Sequence, residues 1–372
     1  MAPSWPATRL TSLLGIGYPL IQGPLGGLSS QQLTAAVSNF GGLGSFGAHS
    51  KAPEAIADII AEIRALTSKP FAMNLWVSME DAGARTSGRG EFEKSRAVIG
   101  PHLAALGAAL PEYQPYTPVL FEAQVRVLLD ARVPVFSFIV GIPPREILDE
   151  CRARGIKTIG TATTPDEAIA LEQAGVDAIV ASGFEGGGHR GSFLRPAEES
   201  LMGTMALVPQ VADAVSVPVI AAGGIGDARG VLAALALGAD AIQMGTAFLV
   251  SEASGASRLH REALRGPGAG YTGLTRGFTG RMARGIHNQI MAELNREGTP
   301  ILPYPLQRGL MRNLSVAADA AGRPELMQLW AGQAAPLSSN PDATAFLRQL
   351  VDEIGVLGGS VVEWSAVRRK SR

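Results

Sequence analysis

Short runs of β-branched and other apolar residues alternate with helix-like segments along the first 250 residues of this chain. Runs of this kind, bounded by turn residues, are typical of strands buried on both faces of a parallel sheet. There are eight of them, at residues 19–22, 42–46, 71–77, 133–140, 157–161, 178–181, 217–222 and 241–244. Eight strands, each followed by a helical segment, predict an α/β fold of the (β/α)8 TIM barrel type rather than an open sheet.

Capping residues mark the ends of several helices between these strands. Ser30, Thr164 and Asp227 each precede a helical segment and can accept a hydrogen bond from its first turn. Glycines suited to a left-handed cap follow the helical segments, and these are Gly41, Gly155, Gly175 and Gly238.

Two parts of the chain lie outside this repeat and set the predicted domain organisation. Residues 1–250 are predicted to form the barrel, with a glycine- and proline-rich insertion at about residues 78–118 after the third strand. An insertion there lies on the face of a barrel that carries the active site. Residues 251–372 are predicted to form an α-rich C-terminal extension that caps the active site, with helical segments at 257–264, 283–297 and 344–354.

The composition excludes several functional classes. Lys plus Arg number 32 and Asp plus Glu number 33, so a formal net charge of −1 offers no basic excess for nucleic-acid binding. The single cysteine, Cys151, excludes an intramolecular disulfide framework and a thiolate metal cluster. The amino terminus lacks a signal-peptide pattern. We therefore expect a cytoplasmic protein that binds neither nucleic acid nor membrane, and the oligomeric state stays open.

In a TIM barrel the active site is built at the carboxyl ends of the strands, so the residues there are the candidate site residues. They are Gln22, Pro24 and Leu25 after the first strand, Asn74 in the third, Ser182 and Gly187 after the sixth, Gly223 and Gly224 after the seventh, and Gln243, Met244, Gly245 and Thr246 at the eighth.

The turns after the seventh and eighth strands predict a phosphate site. Gly223 and Gly224 let backbone N–H groups close on an anion without interference from a Cβ atom, and Gly245 with Thr246 adds an N–H group and a hydroxyl. These are the two strands at which barrels commonly bind phosphate. The alternative is that the glycines serve only tight turns.

His189 is the acid–base candidate, because it follows three glycines at the end of the sixth strand. The alternative is a structural histidine that donates to a backbone carbonyl. Glu185 is expected either to orient His189 or to pair with Arg190 or Arg195. His49, after the second strand, either lines the pocket or is a loop histidine.

Absences at the strand ends narrow the chemistry. None of the five lysines ends a strand, which disfavours a Schiff-base enzyme, and Cys151 lies in a helix, which disfavours thiolate catalysis. No histidine has a partner at metal-ligand spacing, so no metal site is predicted. What remains is a phosphate-bearing organic cofactor with its ring beside residues 22–26 and Asn74 and with His189 above it, and FMN fits.

Together these residues resemble the nitronate monooxygenase family, formerly grouped as 2-nitropropane dioxygenases, and in particular its class I members. The matching segments in the barrel are 19–25 (PLIQGPL), 36–45 (AVSNFGGLGS), 71–75 (FAMNL), 186–191 (GGGHRG), 217–226 (VPVIAAGGIG) and 233–248. The segments that resemble class I in particular lie in the C-terminal part, at 277–281 (GFTGR), 303–307 (PYPLQ) and 329–333 (LWAGQ).

The resemblance implies an FMN-dependent enzyme that oxidises alkyl nitronates, and in some members nitroalkanes, with O2 to carbonyl compounds and nitrite. By that resemblance His189 is the catalytic base, and Asn74, Gly187, Gly223, Gly224 and residues 243–246 contact FMN. Leu25 stands where Met is more usual, and Ser182 stands where many class I members have Gln.

Several alternatives remain open at this point. A second candidate function is an FMN-dependent NAD(P)H quinone or enoyl-thioester reductase on the same scaffold, and a third is a non-catalytic protein that binds a phosphate ligand. Arg276, Arg281 and Arg284 either favour a carboxylated substrate or cap helix ends. Three tyrosines either line the pocket or pack as aromatic side chains, and these are Tyr113, Tyr116 and Tyr304.

Overall fold

The computed structural model describes residues 7–115, 117, 120–337 and 340–357. Eight parallel strands form the central sheet: β1 (Leu20–Gln22), β2 (Gly44–Gly47), β3 (Phe71–Trp76), β4 (Val135–Ile139), β5 (Lys157–Ala162), β6 (Ala178–Ser182), β8 (Val219–Ala222) and β9 (Ala241–Met244). Three shorter strands form a separate antiparallel sheet, and these are β7 (Gly188–His189), β10 (Thr272–Thr275) and β11 (Ala283–Ile286).

The strand order closes the central sheet into a barrel. The order is β1-β9-β8-β6-β5-β4-β3-β2, and all pairs in it are parallel. Leu43, which leads into β2, donates to the carbonyl of Leu20 and accepts from the N–H of Gln22, and these bonds join the two ends of the sheet. The predicted (β/α)8 TIM barrel is confirmed, and each of the eight predicted strands is present.

The predicted helices follow the barrel strands, and the insertion after β3 contains a further helix, Arg89–Ala105, that was not predicted. They are α1 (Arg9–Leu14), α2 (Gln31–Phe40), α3 (Pro53–Leu66), α4 (Arg89–Ala105), α5 (Phe121–Asp130), α6 (Arg145–Ala153), α7 (Pro165–Ala174), α8 (Thr204–Ala214), α9 (Ala228–Ala236), α10 (Thr246–Leu249), α11 (Arg258–Arg265), α12 (Gln289–Leu294), α13 (Leu306–Ala320) and α14 (Ala343–Leu357). The side chains of Ser30, Thr164 and Asp227 cap α2, α7 and α9, each by accepting a backbone N–H. Among the described residues, no helix combines the length and apolar character needed to cross a membrane.

One end of the barrel is closed by apolar packing. Leu10 and Leu14 of α1 join a buried apolar cluster with Val135, Ala178 and Ala241, which are the first residues of β4, β6 and β9. This packing fills that end as a TIM barrel core is filled. The opposite end, at the carboxyl ends of the strands, is therefore where a ligand cavity can form.

The C-terminal part differs from its prediction in two respects. The prediction of a helix at residues 283–297 is wrong for its first residues. Ala283–Ile286 forms strand β11, which pairs with β10 and β7, and helix α12 begins only at Gln289. Helix α13 was not predicted. Helix α14 packs against α2 and α9 on the outside of the barrel, and its apolar side chains join the main core. The domain division at residue 250 stays a prediction.

Candidate active site

A cavity of about 780 Å³ opens at the carboxyl ends of the barrel strands. Every barrel strand, or the loop directly after it, contributes to its wall: Pro24 follows β1, His49 follows β2, and the others are Asn74 and Trp76 (β3), Ser137 (β4), Thr161 (β5), Ser182 (β6), Ala222 (β8) and Gln243 (β9). The C-terminal part adds Arg308, Arg312 and Trp330. The cavity therefore lies where the fold predicts the active site.

Of the predicted site residues, eleven line this cavity and two do not. Those that line it are Pro24, Leu25, Asn74, Ser182, Gly187, His189, Gly223, Gly224, Gln243, Gly245 and Thr246. Met244 is buried, and its carbonyl accepts from the N–H of Gly23. The buried side chain of Gln22 donates to the carbonyls of Gly23 and Ser45 and accepts from the N–H of Ser45, so it ties β1 to β2. Cofactor contacts of Gln22 and Met244 stay predictions.

Several glycines among the predicted site residues are required by the backbone and packing of the protein itself. Gly223 and Gly224 have φ of 103° and 67°, in the left-handed region that favours glycine. A Cβ atom on Gly223 would lie 2.8 Å from the carbonyl oxygen of Gly183, and one on Gly187 would lie 2.6 Å from the backbone of Ala331. Gly245 is different, because the nearest heavy atom to its Cβ position is 3.7 Å away. Tight packing thus accounts for two of these glycines, and Gly245 leaves open backbone at the cavity.

His189 is held on the cavity wall by strand pairing and by one side-chain contact. It lies in β7, opposite Ala283 of β11, and its Nε2 atom is 2.8 Å from Oγ1 of Thr279. Trp76 and Trp330 flank the ring, with centroids at 4.8 and 5.3 Å. Both rings meet the imidazole edge to face, and this packing fixes its orientation.

The environment keeps the histidines of the cavity neutral. Burial, together with the positive charges of Arg308 and Arg281, lowers the pKa of His189 to about 3. The same causes, with burial the largest, hold the pKa of His49 well below its ordinary value. Both imidazoles are therefore uncharged at neutral pH, so each can accept a proton.

His49 lines the cavity rather than being only a loop histidine. Its ring stacks on Trp76 with centroids 4.2 Å apart, and its buried Nδ1 atom has no hydrogen-bond partner among the described residues. A Cβ atom on Gly26 would lie 2.5 Å from the His49 ring, so the loop after β1 packs directly on it.

Two roles were considered for Glu185, orienting His189 and pairing with Arg190 or Arg195, and both are wrong. Its carboxylate accepts hydrogen bonds from the backbone N–H and the hydroxyl of Thr204. Arg190 donates to the backbone carbonyls of Ser182 and Ser200, and Arg195 pairs with Asp166 at 3.6 Å. Glu185 therefore holds the glycine-rich loop against the start of α8.

The three arginines considered for a carboxylated substrate are committed elsewhere. Arg281 pairs with Asp81 at 2.7 Å, Arg276 pairs with Glu198, and Arg284 donates to the carbonyl of Phe184. None of the three lines the cavity. Arg308 does, and sequence reasoning missed it although it directly follows the segment 303–307.

The three tyrosines considered for the pocket differ in their position. Tyr304 is buried among the aromatic side chains of the site, with its ring centroid 5.2 Å from that of Trp76 and 6.3 Å from that of His189. Tyr113 packs against Phe92 and does not line the cavity. Tyr116 lies outside the described residues.

Within the described part of the chain, no group of His, Cys, Asp and Glu side chains is arranged to hold a metal ion.

Comparisons with known proteins agree with this geometry. A family model described as nitronate monooxygenase matches residues 7–353. A probable nitronate monooxygenase of Staphylococcus aureus (strain Newman) is 41% identical over 351 residues, which cover 94% of this chain and 98% of that protein. The structure of nitroalkane oxidase from Streptomyces ansochromogenes is similar with a TM-score of 0.86 at 37% identity, over 95% of this chain and 99% of that one. FabK from Thermotoga maritima is similar with a TM-score of 0.74 at 28% identity, over 97% and 100% of the two chains.

Proposed function

The chain belongs to the nitronate monooxygenase family, and we propose that it oxidises alkyl nitronates, and nitroalkanes after proton removal, with O2 to carbonyl compounds and nitrite. In this proposal FMN is the cofactor and His189 is the base. The observation that carries the proposal is a neutral imidazole on the wall of a cavity at the strand ends of a barrel.

The residues around the cavity fit FMN. The cavity volume of about 780 Å³ falls within the range of about 300–1,000 Å³ typical of ligand and cofactor sites. Gly224, Gly245 and Thr246 would hold the phosphate through backbone N–H groups and a hydroxyl, and Asn74 and Gln243 would contact the ring system. When bound, FMN supplies electron transfer with the substrate and with O2.

His49 also supports a ligand at this place. A buried polar atom without a partner costs free energy, so it calls for an explanation in a native structure. The Nδ1 atom of His49 is such an atom, beside the loop that includes Leu25, whose φ of 45° is unusual for a residue with a side chain. Strained backbone and an unpaired polar atom together are typical of a ligand site.

His189 would take the α-proton of a neutral nitroalkane. Its pKa of about 3 leaves the imidazole unprotonated at neutral pH, so a ring nitrogen is free to accept a proton. The nitronate that forms is an anion, and its negative charge raises the pKa of the adjacent imidazole while the charge of Arg308 stabilises the anion. A substrate supplied as a nitronate has no such proton to lose and does not need the base.

The test is an anaerobic visible spectrum of the FMN-loaded protein before and after addition of an alkyl nitronate. The spectrum should bleach with the nitronate, and admission of O2 should release nitrite. No flavin spectrum after reconstitution with FMN would overturn the cofactor assignment, and bleaching without nitrite would overturn the reaction.

A second candidate is an FMN-dependent NAD(P)H quinone or enoyl-thioester reductase. The observation that favours it is the similarity to FabK at 28% identity over nearly the whole chain. Anaerobic addition of NADH separates the two functions, because a reductase is bleached rapidly by NADH alone. The proposed monooxygenase is bleached by the nitronate and only slowly, or not at all, by NADH.

A further inference from the structure

One hydroxyl group contacts the ring of His189, and it belongs to Thr279. The Thr279 side chain is fully buried, in the segment that leads from β10 to β11. Its Oγ1 atom lies 2.8 Å from Nε2 of His189. The same oxygen lies 3.3 Å from the backbone nitrogen of Arg281 and 3.2 Å from the backbone carbonyl oxygen of Arg281.

Counting hydrogens decides the direction of these bonds. A threonine hydroxyl has one hydrogen to donate and two lone pairs that accept. The carbonyl of Arg281 can only accept, and the N–H of Arg281 can only donate. If the hydroxyl donates to that carbonyl, its lone pairs accept from the N–H of Arg281 and from an Nε2–H of His189, and all three partners are satisfied.

The opposite tautomer leaves this cluster incomplete. If His189 carried its hydrogen on Nδ1, the Thr279 hydroxyl would have to donate to Nε2, and the carbonyl of Arg281 would lose this donor. Nε2 would then be an occupied acceptor and could not receive a proton from a substrate. A buried hydrogen-bond acceptor that loses its donor costs free energy, so this arrangement is disfavoured.

We propose that Thr279 is a positioning residue that holds His189 in the Nε2–H tautomer, so that Nδ1 is the nitrogen that accepts the proton. The catalytic part of this inference rests on the function proposed above. The carbon–hydrogen bond of the nitroalkane breaks, its electron pair stays on the substrate as the nitronate, and the proton passes to Nδ1. Nε2–H remains bonded to Thr279 throughout, so the imidazolium that results keeps its orientation.

The tautomer can be measured without any turnover. The chain has five histidines, so ¹⁵N-histidine labelling and long-range ¹H–¹⁵N spectra of the FMN-loaded protein yield five ring systems, and His189→Gln assigns the one of interest. We expect the Nε2–H pattern in the unaltered protein and in Thr279→Ser, which keeps the hydroxyl. Thr279→Val, which has a similar shape but no hydroxyl, should show a mixture or the Nδ1–H pattern. An Nδ1–H pattern in the unaltered protein overturns the inference, whether or not the Thr279 variants fold.

Kinetics give the second readout. Thr279→Val should lower kcat/KM for a neutral nitroalkane by about 10- to 100-fold, which is no more than the lower end of the roughly 10²- to 10⁴-fold that general base catalysis contributes, because the base itself remains. It should change kcat/KM for the matching nitronate by less than about twofold. Thr279→Ser should restore most of the nitroalkane activity. Equal losses on both substrates would assign Thr279 a merely structural role. Absence of nitrite from the unaltered protein would instead refute the proposed function, and the tautomer would still be decided by the spectra.

Discussion

His189 combines two properties that a base for carbon acids needs. It is neutral at physiological pH because burial and two arginines lower its pKa to about 3, and its ring is fixed by Thr279 and by the flanking tryptophans. Replacement by Asn keeps a polar side chain but removes the basic nitrogen. We expect His189→Asn to lose about 10²- to 10⁴-fold in kcat/KM on a neutral nitroalkane and to retain most activity on a preformed nitronate.

Nitrite release from paired nitroalkane and nitronate substrates measures this prediction. The control is His287→Asn, which alters an exposed histidine and should leave both activities unchanged. Gln124→Ala would not serve as a control, because the buried Gln124 side chain donates to the carbonyl of His49. A comparable fall on both substrates in His189→Asn would remove the role of base from His189.

Among the helices, α14 shows how the barrel depends on the end of the chain. Leu347 on α14 is fully buried in the core that the barrel helices share, and α14 packs against α2 and α9. Leu347→Ala should therefore lower the free energy of unfolding by about 2–5 kcal/mol, as large-to-small core substitutions do. Urea denaturation followed by circular dichroism measures this change.

The exposed neighbour Arg348 offers the matched control for that experiment. Arg348→Ala should change the free energy of unfolding by less than about 0.5 kcal/mol. If Leu347→Ala were as mild as Arg348→Ala, α14 would be a detachable cap and not part of the barrel core.

The sequence predicts the barrel strands better than it predicts the C-terminal part, and the reason is the range of the interactions. Each barrel strand is a local apolar run, so its type follows from its own residues. Residues 283–286 form a strand only because β10 and β7 lie on either side, and both pairings are long-range contacts that local pattern does not contain.

The same distinction applies to the site. His189, Asn74 and Gln243 could be predicted because a barrel brings strand ends together. Arg308 and Trp330 reach the cavity from the C-terminal part, whose path over the barrel no periodicity specifies. The sequence places Gln22 at the site from its position alone, whereas its three hydrogen bonds, which tie β1 to β2, depend on the neighbouring strand. A cofactor contact of Gln22 stays a prediction.

Across the whole chain, buried neutral histidines make stability depend on pH. Burial lowers the pKa of His260 to about 4, and its Nε2 donates to the carbonyl of Trp330. An unfolded chain binds this proton near pH 6.5, whereas the folded chain does not bind it until about pH 4. The free energy of unfolding should therefore fall as the pH is lowered from 7 to 5, with His260 contributing about 2 kcal/mol of that fall.

Urea unfolding of His260→Gln at pH 7 and pH 5 checks this expectation. The variant should lose about 2 kcal/mol of the pH dependence, because glutamine does not titrate. His287→Gln, at an exposed position, should leave the dependence unchanged. An undiminished fall in His260→Gln would mean that His260 is protonated in the folded protein at pH 5.

The wall of the cavity carries an excess of positive charge although the chain as a whole has a net charge of −1. Lys51, Arg308 and Arg312 line it, and none of them forms a salt bridge with another described residue. Asp319 is the carboxylate on the same wall, and it accepts a hydrogen bond from Ser257. The resulting excess of positive charge should attract anionic substrates toward the cavity and leave neutral ones unaffected.

Salt dependence provides the test, because screening acts within about 10 Å at 0.1 M ionic strength. The value of kcat/KM for a nitronate should fall as salt is raised, while that for the neutral nitroalkane stays constant. Arg312→Gln should reduce the nitronate value about two- to fivefold at low salt and flatten its salt dependence, since it removes one of the attracting charges. Arg145→Gln, an exposed arginine away from the cavity, removes the same charge from the chain and should have no such effect. If Arg145→Gln reduced the nitronate value equally, the net charge of the chain and not the charge on the cavity wall would govern substrate capture.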